Sequence, residues 1–155
     1  MNQDPEVMRF FPNTLTAEET KGLIERLQKH FDEYGFTFYA VDHLADGEFI
    51  GFLGLVRAIF ESSFTPCNEI GWRLRKEYWG QGLATEGAKA CLDYGFSNLG
   101  FNEVYSFTAT INPPSENVMK KLRMTKVGEF DHPKLAMDSP LLRHVLYKIT
   151  KAEHG

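Results

Sequence analysis

A chain of 155 residues with 43% hydrophobic and 14% aromatic content holds enough apolar material for one globular core, which excludes a disordered segment. A formal net charge of -4 leaves no broad basic surface for nucleic-acid backbones, and no stretch approaches the roughly 20 apolar residues needed to span a bilayer, so neither nucleic acid nor membrane is an expected partner. Cys67 and Cys91 lie far apart without metal or redox spacing, so no disulfide framework and no metal are expected, and a reducing cytoplasmic location follows as the expectation.

Thr16-Ala17-Glu18-Glu19 reads as a capping box, and Leu23, Ile24, Leu27 and Phe31 follow at helical spacing, predicting a helix to about Tyr34 that Gly35 ends. Phe36 to Val41 alternates as a strand, Asp46-Gly47 marks a hairpin turn, and Phe49 to Phe60 gives a longer strand. After the Thr65-Pro66 break a third strand covers Glu69 to Leu74, completing an antiparallel meander. Gly80-Gln81-Gly82-Leu83-Ala84-Thr85 then hands this strand over to a helix running to about Leu99, with Ala84, Ala88, Cys91, Leu92, Gly95 and Phe96 on one face. Gly100 closes that helix, and Val104 to Ile111 returns beside the Glu69 strand, parallel to it through the helical crossover. Pro113-Pro114 open a short helix to about Leu122, and Thr125 to Phe130 and Leu141 to Thr150 supply the last strands around the loop Asp131 to Pro140. This order predicts a single α+β domain over residues 1–155 with a mixed, mostly antiparallel sheet flanked by helices.

The strand-to-helix junction at residues 80–85 carries the chemistry. The first turn of a helix has backbone N–H groups without partners, and the macrodipole adds partial positive charge there, so anions bind. Gly80 and Gly82 permit turn dihedrals closed to other residues and remove side chains that would block a diphosphate, while Ala84 and Thr85 keep the approach low. A Rossmann fingerprint needs a third glycine where Thr85 stands, and no Lys-Ser or Lys-Thr follows to make a P-loop. Arg73, Arg75 and Lys76 precede the turn and suit either a polyanionic small molecule or ordinary solvation of a strand end.

Four stretches give the chain a wider resemblance: Asp4-Pro5-Glu6-Val7-Met8, then Glu69-Ile70-Gly71-Trp72-Arg73-Leu74, then Glu77 to Glu86 across the glycine turn, and Asn112-x-x-Ser115-x-x-Val118-Met119-Lys120-Lys121-Leu122. In order and spacing the chain resembles the GNAT superfamily of acyl-CoA-dependent N-acetyltransferases, and most the Rim-type branch of ribosomal-protein alanine N-acetyltransferases. The resemblance implies acetyl-CoA as cofactor, its pyrophosphate on the backbone of Gly80, Gln81, Gly82, Leu83, Ala84 and Thr85. It implies that the pantetheine arm pairs with Trp72, Arg73 and Leu74 on a strand that splays from its parallel neighbour, with Asn112 hydrogen-bonding the pantetheine and Ser115 near the sulfur. Departures are Glu77 where Gln or Arg is common, Arg123 where a left-handed glycine is usual, and Met119 where many members place a tyrosine proton donor. The family's usual first strand and helix have no counterpart ahead of Asp4, so the strand at Phe36 is expected to be an exposed sheet edge that a homodimer would cover.

Acetyl transfer to an amine needs a neutral amine, stabilisation of charge on the carbonyl oxygen, and a proton for the departing thiolate. Glu69 on the wedge strand is the candidate base, the alternative being a carboxylate paired with Arg73 or solvent; the backbone N–H near Leu74 is the candidate for the carbonyl oxygen. Ser115 is the candidate proton donor, with a simple helix cap as its alternative. His132 and His144 are expected to be structural or to face the acceptor, Tyr147 to be core, and Phe36, Phe38, Phe49 and Phe52 to be sheet packing. The acceptor walls are expected from the Thr16–Tyr34 helix and the Asp131–Pro140 loop. An α-amine, with a pKa of about 7.7–8.0 against about 10.4 for a lysine, needs only modest help from a base. The expected acceptor is thus a protein N-terminal α-amine, with a small-molecule amine (polyamine, amino sugar or drug) or a non-catalytic acyl-CoA-binding role as alternatives.

Overall fold

The computed structural model describes residues 1–155. Helix α1 (Ala17–Tyr34) starts where the capping box dictates, with Thr16 Oγ1 accepting from the Glu19 N–H and the Glu19 carboxylate accepting from the Thr16 N–H, each at 3.1 Å. Gly35 ends it in the left-handed conformation at φ 82. None of its residues is fully buried; it meets the sheet through aromatic edges, Phe31 on Tyr39 and Tyr34 on Phe36, and through hydrogen bonds. Thr37 Oγ1 donates to the Leu27 carbonyl at 2.8 Å, while His30 Nε2 accepts from the Arg57 N–H at 3.0 Å and His30 Nδ1 lies 2.8 Å from the Phe36 carbonyl. An imidazole that accepts at Nε2 and faces a carbonyl at Nδ1 is neutral, with its proton on Nδ1.

Strands β1 (Phe38–Asp42), β2 (Phe49–Ala58), β3 (Cys67–Leu74), β4 (Glu103–Ala109), β5 (Thr125–Asp131) and β6 (Arg143–Thr150) form one sheet in the order β1-β2-β3-β4-β6-β5. Every neighbouring pair is antiparallel except β3 and β4, which α2 (Leu83–Ser97) connects as a crossover. The arrangement is the mixed α+β class expected. Helix α3 (Pro113–Lys121) follows β4, and a short helix α4 (Lys151–His154) follows β6. The last of these was not foreseen, although Thr150 and Glu153 form a second capping box. β1 is the sheet edge, as anticipated, and most of its residues are exposed.

The main core lies between the sheet and α2 and α3, where Leu55, Ile70, Val104 and Ile149 meet Ala88, Leu92 and Met119. Gly87 lets α2 close on the sheet, since a β-carbon there would come within 2.5 Å of Leu53 Cδ2. β3 and β4 share a single ladder pair, Glu69 with Tyr105, and part beyond it. The buried Ser106 hydroxyl then spans the gap by donating to the Ile70 carbonyl at 2.9 Å. This is the splay that the resemblance implies.

Arg123 adopts φ 65, the conformation in which a glycine is usual, and the Met124 N–H returns to the Met119 carbonyl at 3.1 Å to close α3. A β-carbon in this region costs about 1–2 kcal/mol, partly offset because glycine loses more backbone entropy on folding. Arg123→Gly is expected to stabilise the fold by up to about 1 kcal/mol, read as a higher urea midpoint at unchanged slope.

Candidate active site

Successive β3 side chains point to opposite faces of the sheet. Ile70, Trp72 and Leu74 face α2 and α3: Ile70 is core, Trp72 packs against that core, and the Trp72 indole N–H donates to Ser115 Oγ at 3.3 Å. Glu69, Gly71 and Arg73 face the other way, Gly71 against the Phe38 ring and Arg73 against Phe52. A cavity of about 1210 Å³ passes through the splay and joins the two faces. Its α2 side is walled by the glycine turn and the start of α3, its far side by residues 6–12, the phenylalanines of β1 and β2, and residues 132–135.

On the α2 side, Gly80 and Gly82 have φ of 72 and 76, and Gly82 is the N-cap of α2 without a side-chain hydrogen bond. The first backbone bond of the helix runs from the Glu86 N–H to the Gly82 carbonyl, so the N–H groups of residues 80–85 donate to nothing in the protein. No atom comes within 4 Å of where a β-carbon on Gly80 or Gly82 would stand, which leaves those amides open to approach. The Trp79 indole pins the turn to the end of β3 by donating to the Leu74 carbonyl at 2.9 Å. Gln81 departs from the other members of the turn: its side chain reaches back to the Glu77 carbonyl at 3.4 Å and it does not line the cavity.

The basic run ahead of the turn does not form one anion site. Arg73 lies on the opposite face, Arg75 pairs with Glu77 and donates to the Phe49 carbonyl, and Lys76 pairs with Asp4 and Glu6. Of the two readings of this run, the structure favours ordinary strand-end charges for Arg75 and Lys76, because chain neighbours at a strand end diverge.

Asn112 is buried and caps α3, with Oδ1 accepting from the Ser115 N–H at 3.4 Å and Nδ2 donating to Thr108 Oγ1 at 2.9 Å. The cap is therefore Asn112 rather than Ser115. Because Trp72 donates to Ser115 Oγ, the Ser115 hydroxyl proton stays free for another acceptor. Met119 is buried and lines the cavity; Tyr147 is buried outside it, its hydroxyl donating to Glu116 at 2.6 Å.

On the far side, the Glu69 carboxyl makes no ion pair with Arg73, which removes the Arg73 part of its alternative reading, and burial pushes its pKa up to about 8 against a smaller opposing pull from Lys134. His132 Nδ1 accepts from the Lys134 N–H at 3.2 Å, which leaves Nε2 as a donor, and burial holds its pKa down at about 4. His144, also depressed by burial, packs 5.1 Å from His132, so both rings face the acceptor side as neutral groups. The walls are only partly those expected. The 131–140 loop contributes, but α1 does not; Glu6, Val7 and residues 9–12 line the cavity in its place. Phe38 and Phe52 stack at 5.6 Å and, besides packing on the sheet, form the cavity floor. Ser106 and Trp79 escaped sequence reasoning; a serine inside the apolar run of β4 was the one available signal.

Residues 1–125 match the family model for an acetyltransferase (GNAT) domain. The chain belongs to the GNAT family. It is 32% identical over 164 aligned residues, spanning 99% of the chain and 68% of the relative, to the FsC-acetyl coenzyme A-N(2)-transacetylase of Aspergillus fumigatus. The spermidine N-acetyltransferase of Vibrio cholerae, solved with CoA and spermine, superposes with a TM-score of 0.76 at 18% identity over 99% of this chain and 87% of that one. The ribosomal-protein-S5-alanine acetyltransferase of Vibrio fischeri superposes at 0.70 and 19% identity over 90% and 75%. The protein is an N-acetyltransferase that uses acetyl-CoA. The open, unpaired amides at residues 80–85 fit its diphosphate. No helix is long and apolar enough to cross a membrane.

Because the folded protein holds the Glu69 proton more tightly than the unfolded chain, with a pKa near 8 against an ordinary 4.5, the stability tied to this group is complete below about pH 4.5. It is lost as the pH rises through 8. Glu69→Gln is expected to gain stability relative to the native protein between pH 5 and pH 9, measured by urea denaturation at both; an equal difference at the two values would contradict the burial of this carboxyl.

Proposed function

We propose that residues 1–155 work as one catalytic unit that acetylates a primary α-amine by direct attack in a ternary complex. The N–H groups of Gly80, Gln81, Gly82, Leu83, Ala84 and Thr85 hold the diphosphate of acetyl-CoA, and the edge of β3 at Trp72 and Leu74, which has no ladder partner on the β4 side, receives the pantetheine arm, with Arg73 between them turning its backbone toward β2. Asn112 fixes the start of α3 at that arm. Bound there, acetyl-CoA supplies the thioester acyl group. Glu69 takes a proton from the incoming ammonium, the freed amine attacks the thioester carbon, and the C–S bond breaks; Ser115, its oxygen accepting from Trp72, passes its hydroxyl proton to the departing thiolate and regains one from solvent.

The observation that carries this reading is a carboxyl, its pKa raised by burial, in a cavity that continues through the splay to six free amides. An α-amine, at about 7.7–8.0 against about 10.4 for a lysine-type amine, needs the less help from such a base. The α-amine belongs to a protein N-terminus, in line with the Rim-type resemblance, or to a small molecule. Polyamine acetylation is the second reading, supported by the name of the Vibrio cholerae protein. Against it, the acceptor side presents Arg9, Arg73 and Lys134, while the carboxylate of Glu6 is paired with Lys76.

Thiol release with acetyl-CoA across peptides, amino acids and spermidine tests the acceptor class, and faster turnover of spermidine than of every α-amine would overturn the choice. In the same assay kcat/KM is expected to rise through about pH 8, and Glu69→Gln to lower the neutral-pH rate with partial recovery in alkali; an unchanged profile removes Glu69 from the mechanism. Ala84→Pro deletes one N–H at the helix position that Pro114 occupies in α3, so the helix survives. Loss of a hydrogen bond to a charged group, worth about 1.5–3 kcal/mol, should weaken coenzyme A binding tenfold or more by calorimetry.

A further inference from the structure

Arg73 lines the cavity, and the chemistry above leaves its side chain without a task. Its guanidinium is held flat between two rings, 4.1 Å from the Phe11 centroid and 5.0 Å from that of Phe52. Its only hydrogen bond in the protein runs from Nη1 to Asn2 Oδ1 at 3.1 Å, and its buried Nε has no partner. No carboxylate pairs with it, in contrast to Arg75, Lys76, Lys126, Arg143 and Lys148, each of which has at least one. A largely desolvated cation with most of its five donors idle is costly unless an anion completes it. That anion is not the diphosphate, because Arg73 and the glycine turn lie on opposite faces of β3.

We infer that Arg73 reads a carboxylate on the acceptor, so that the preferred substrate is a primary amine carrying an acid group several bonds from its nitrogen. The inference rests on the acetyltransferase reading of the same site. Geometry sets the spacing. Glu69 and Arg73 share one face of β3 about 13 Å apart at their α-carbons, and the Glu69 carboxyl leans inward, its Oε1 3.7 Å from where a β-carbon on Gly71 would stand. An acceptor amine at Glu69 and an acid group at Arg73 thus belong to one molecule longer than a bare α-amino acid. The planar guanidinium fork, pre-oriented by the two rings, is matched to a carboxylate in a way a lysine is not. Lys134 adds a second positive charge on the same side and Arg9 a third, so an acid-bearing amine enters a favourable field and a polyamine an opposing one. The acid comes either from a small amino-acid derivative or from an acidic residue close behind a peptide N-terminus.

Matched acceptors separate these sources and test the idea. Glutamate α-amide against glutamine α-amide, and the amidated tetrapeptides Ala-Glu-Ala-Ala against Ala-Gln-Ala-Ala, differ only in acid versus amide. The native protein is expected to favour the acid member of at least one pair by tenfold or more in kcat/KM, the favoured pair identifying the source. Arg73→Met, which keeps bulk between Phe11 and Phe52, should bring that ratio close to one, and Arg73→Lys should leave it intermediate. A ratio near one in the native protein overturns the inference, as does an Arg73→Met variant, folded by its melting curve, in which acid and amide turnover fall equally. Coenzyme A binding is measured separately. If the cofactor fails to bind or no amine releases thiol, the acetyltransferase reading fails, and calorimetry of the same acid and amide ligands on the native protein and on Arg73→Met still decides the role of Arg73: tighter acid binding that the variant loses supports it, and equal binding refutes it.

Discussion

The molecule is organised around a parallel strand pair that is allowed to come apart. One ladder pair, Glu69 with Tyr105, joins β3 to β4, and the Ser106 hydroxyl stands in for the next backbone bond by reaching the Ile70 carbonyl. Unpaired backbone inside a sheet is costly unless something else satisfies it. The interruption persists because both strands are secured on their outer sides, β3 by eight pairs to β2 and β4 by seven to β6. The gap is thus held open by the remainder of the sheet, and the cavity through it follows from that arrangement.

Two environments result from this single opening. Toward α2 the strand end and glycine turn offer backbone donors, and the side chains nearby are small or already engaged, as Asn112 is with Thr108 and Ser115. Toward the far face the same strand offers Glu69 and Arg73, two ionisable groups separated along the strand by Gly71 and both desolvated, Arg73 by the Phe11 and Phe52 rings. Burial moves both toward neutrality, raising the acid to about 8 and lowering the guanidinium to about 10. Strand alternation delivers this division of labour, since neighbouring residues of β3 serve opposite sides.

What the sequence made legible was local. The Thr16 capping box, the Gly35 stop, the glycine turn and the Asn112 start of α3 each depend on contacts within a few residues, and each lies where expected. The β1-β2-β3 meander and the parallel placement of β4 beside β3 also followed from the elements and their crossover, whereas the insertion of β6 between β4 and β5 did not. The features that escaped depend on partners far along the chain. Ser106 matters through Ile70, and Arg73 is defined by Phe11, Phe52 and Asn2, which lie 62, 21 and 71 positions away by subtraction of the numbers. The identity of the acceptor wall was missed for the same reason, because residues 6–12 show no periodicity that announces them as a lining.

The way α1 is attached has a consequence for how the protein moves. An 18-residue helix with no buried side chain, fastened by the Thr37 hydroxyl and a neutral imidazole at His30, contributes little to the cooperative core. Its opening free energy lies at the low end of the molecule, so its amides belong to the fast-exchanging fraction, while the slow fraction is the hydrogen-bonded amides where β3 pairs with β2, where β4 pairs with β6, and beyond the first turn of α2. Asn2 links Thr20 of this helix to Arg73 in the cavity, so departures of the helix are transmitted to the chamber as a loosening of its inner wall.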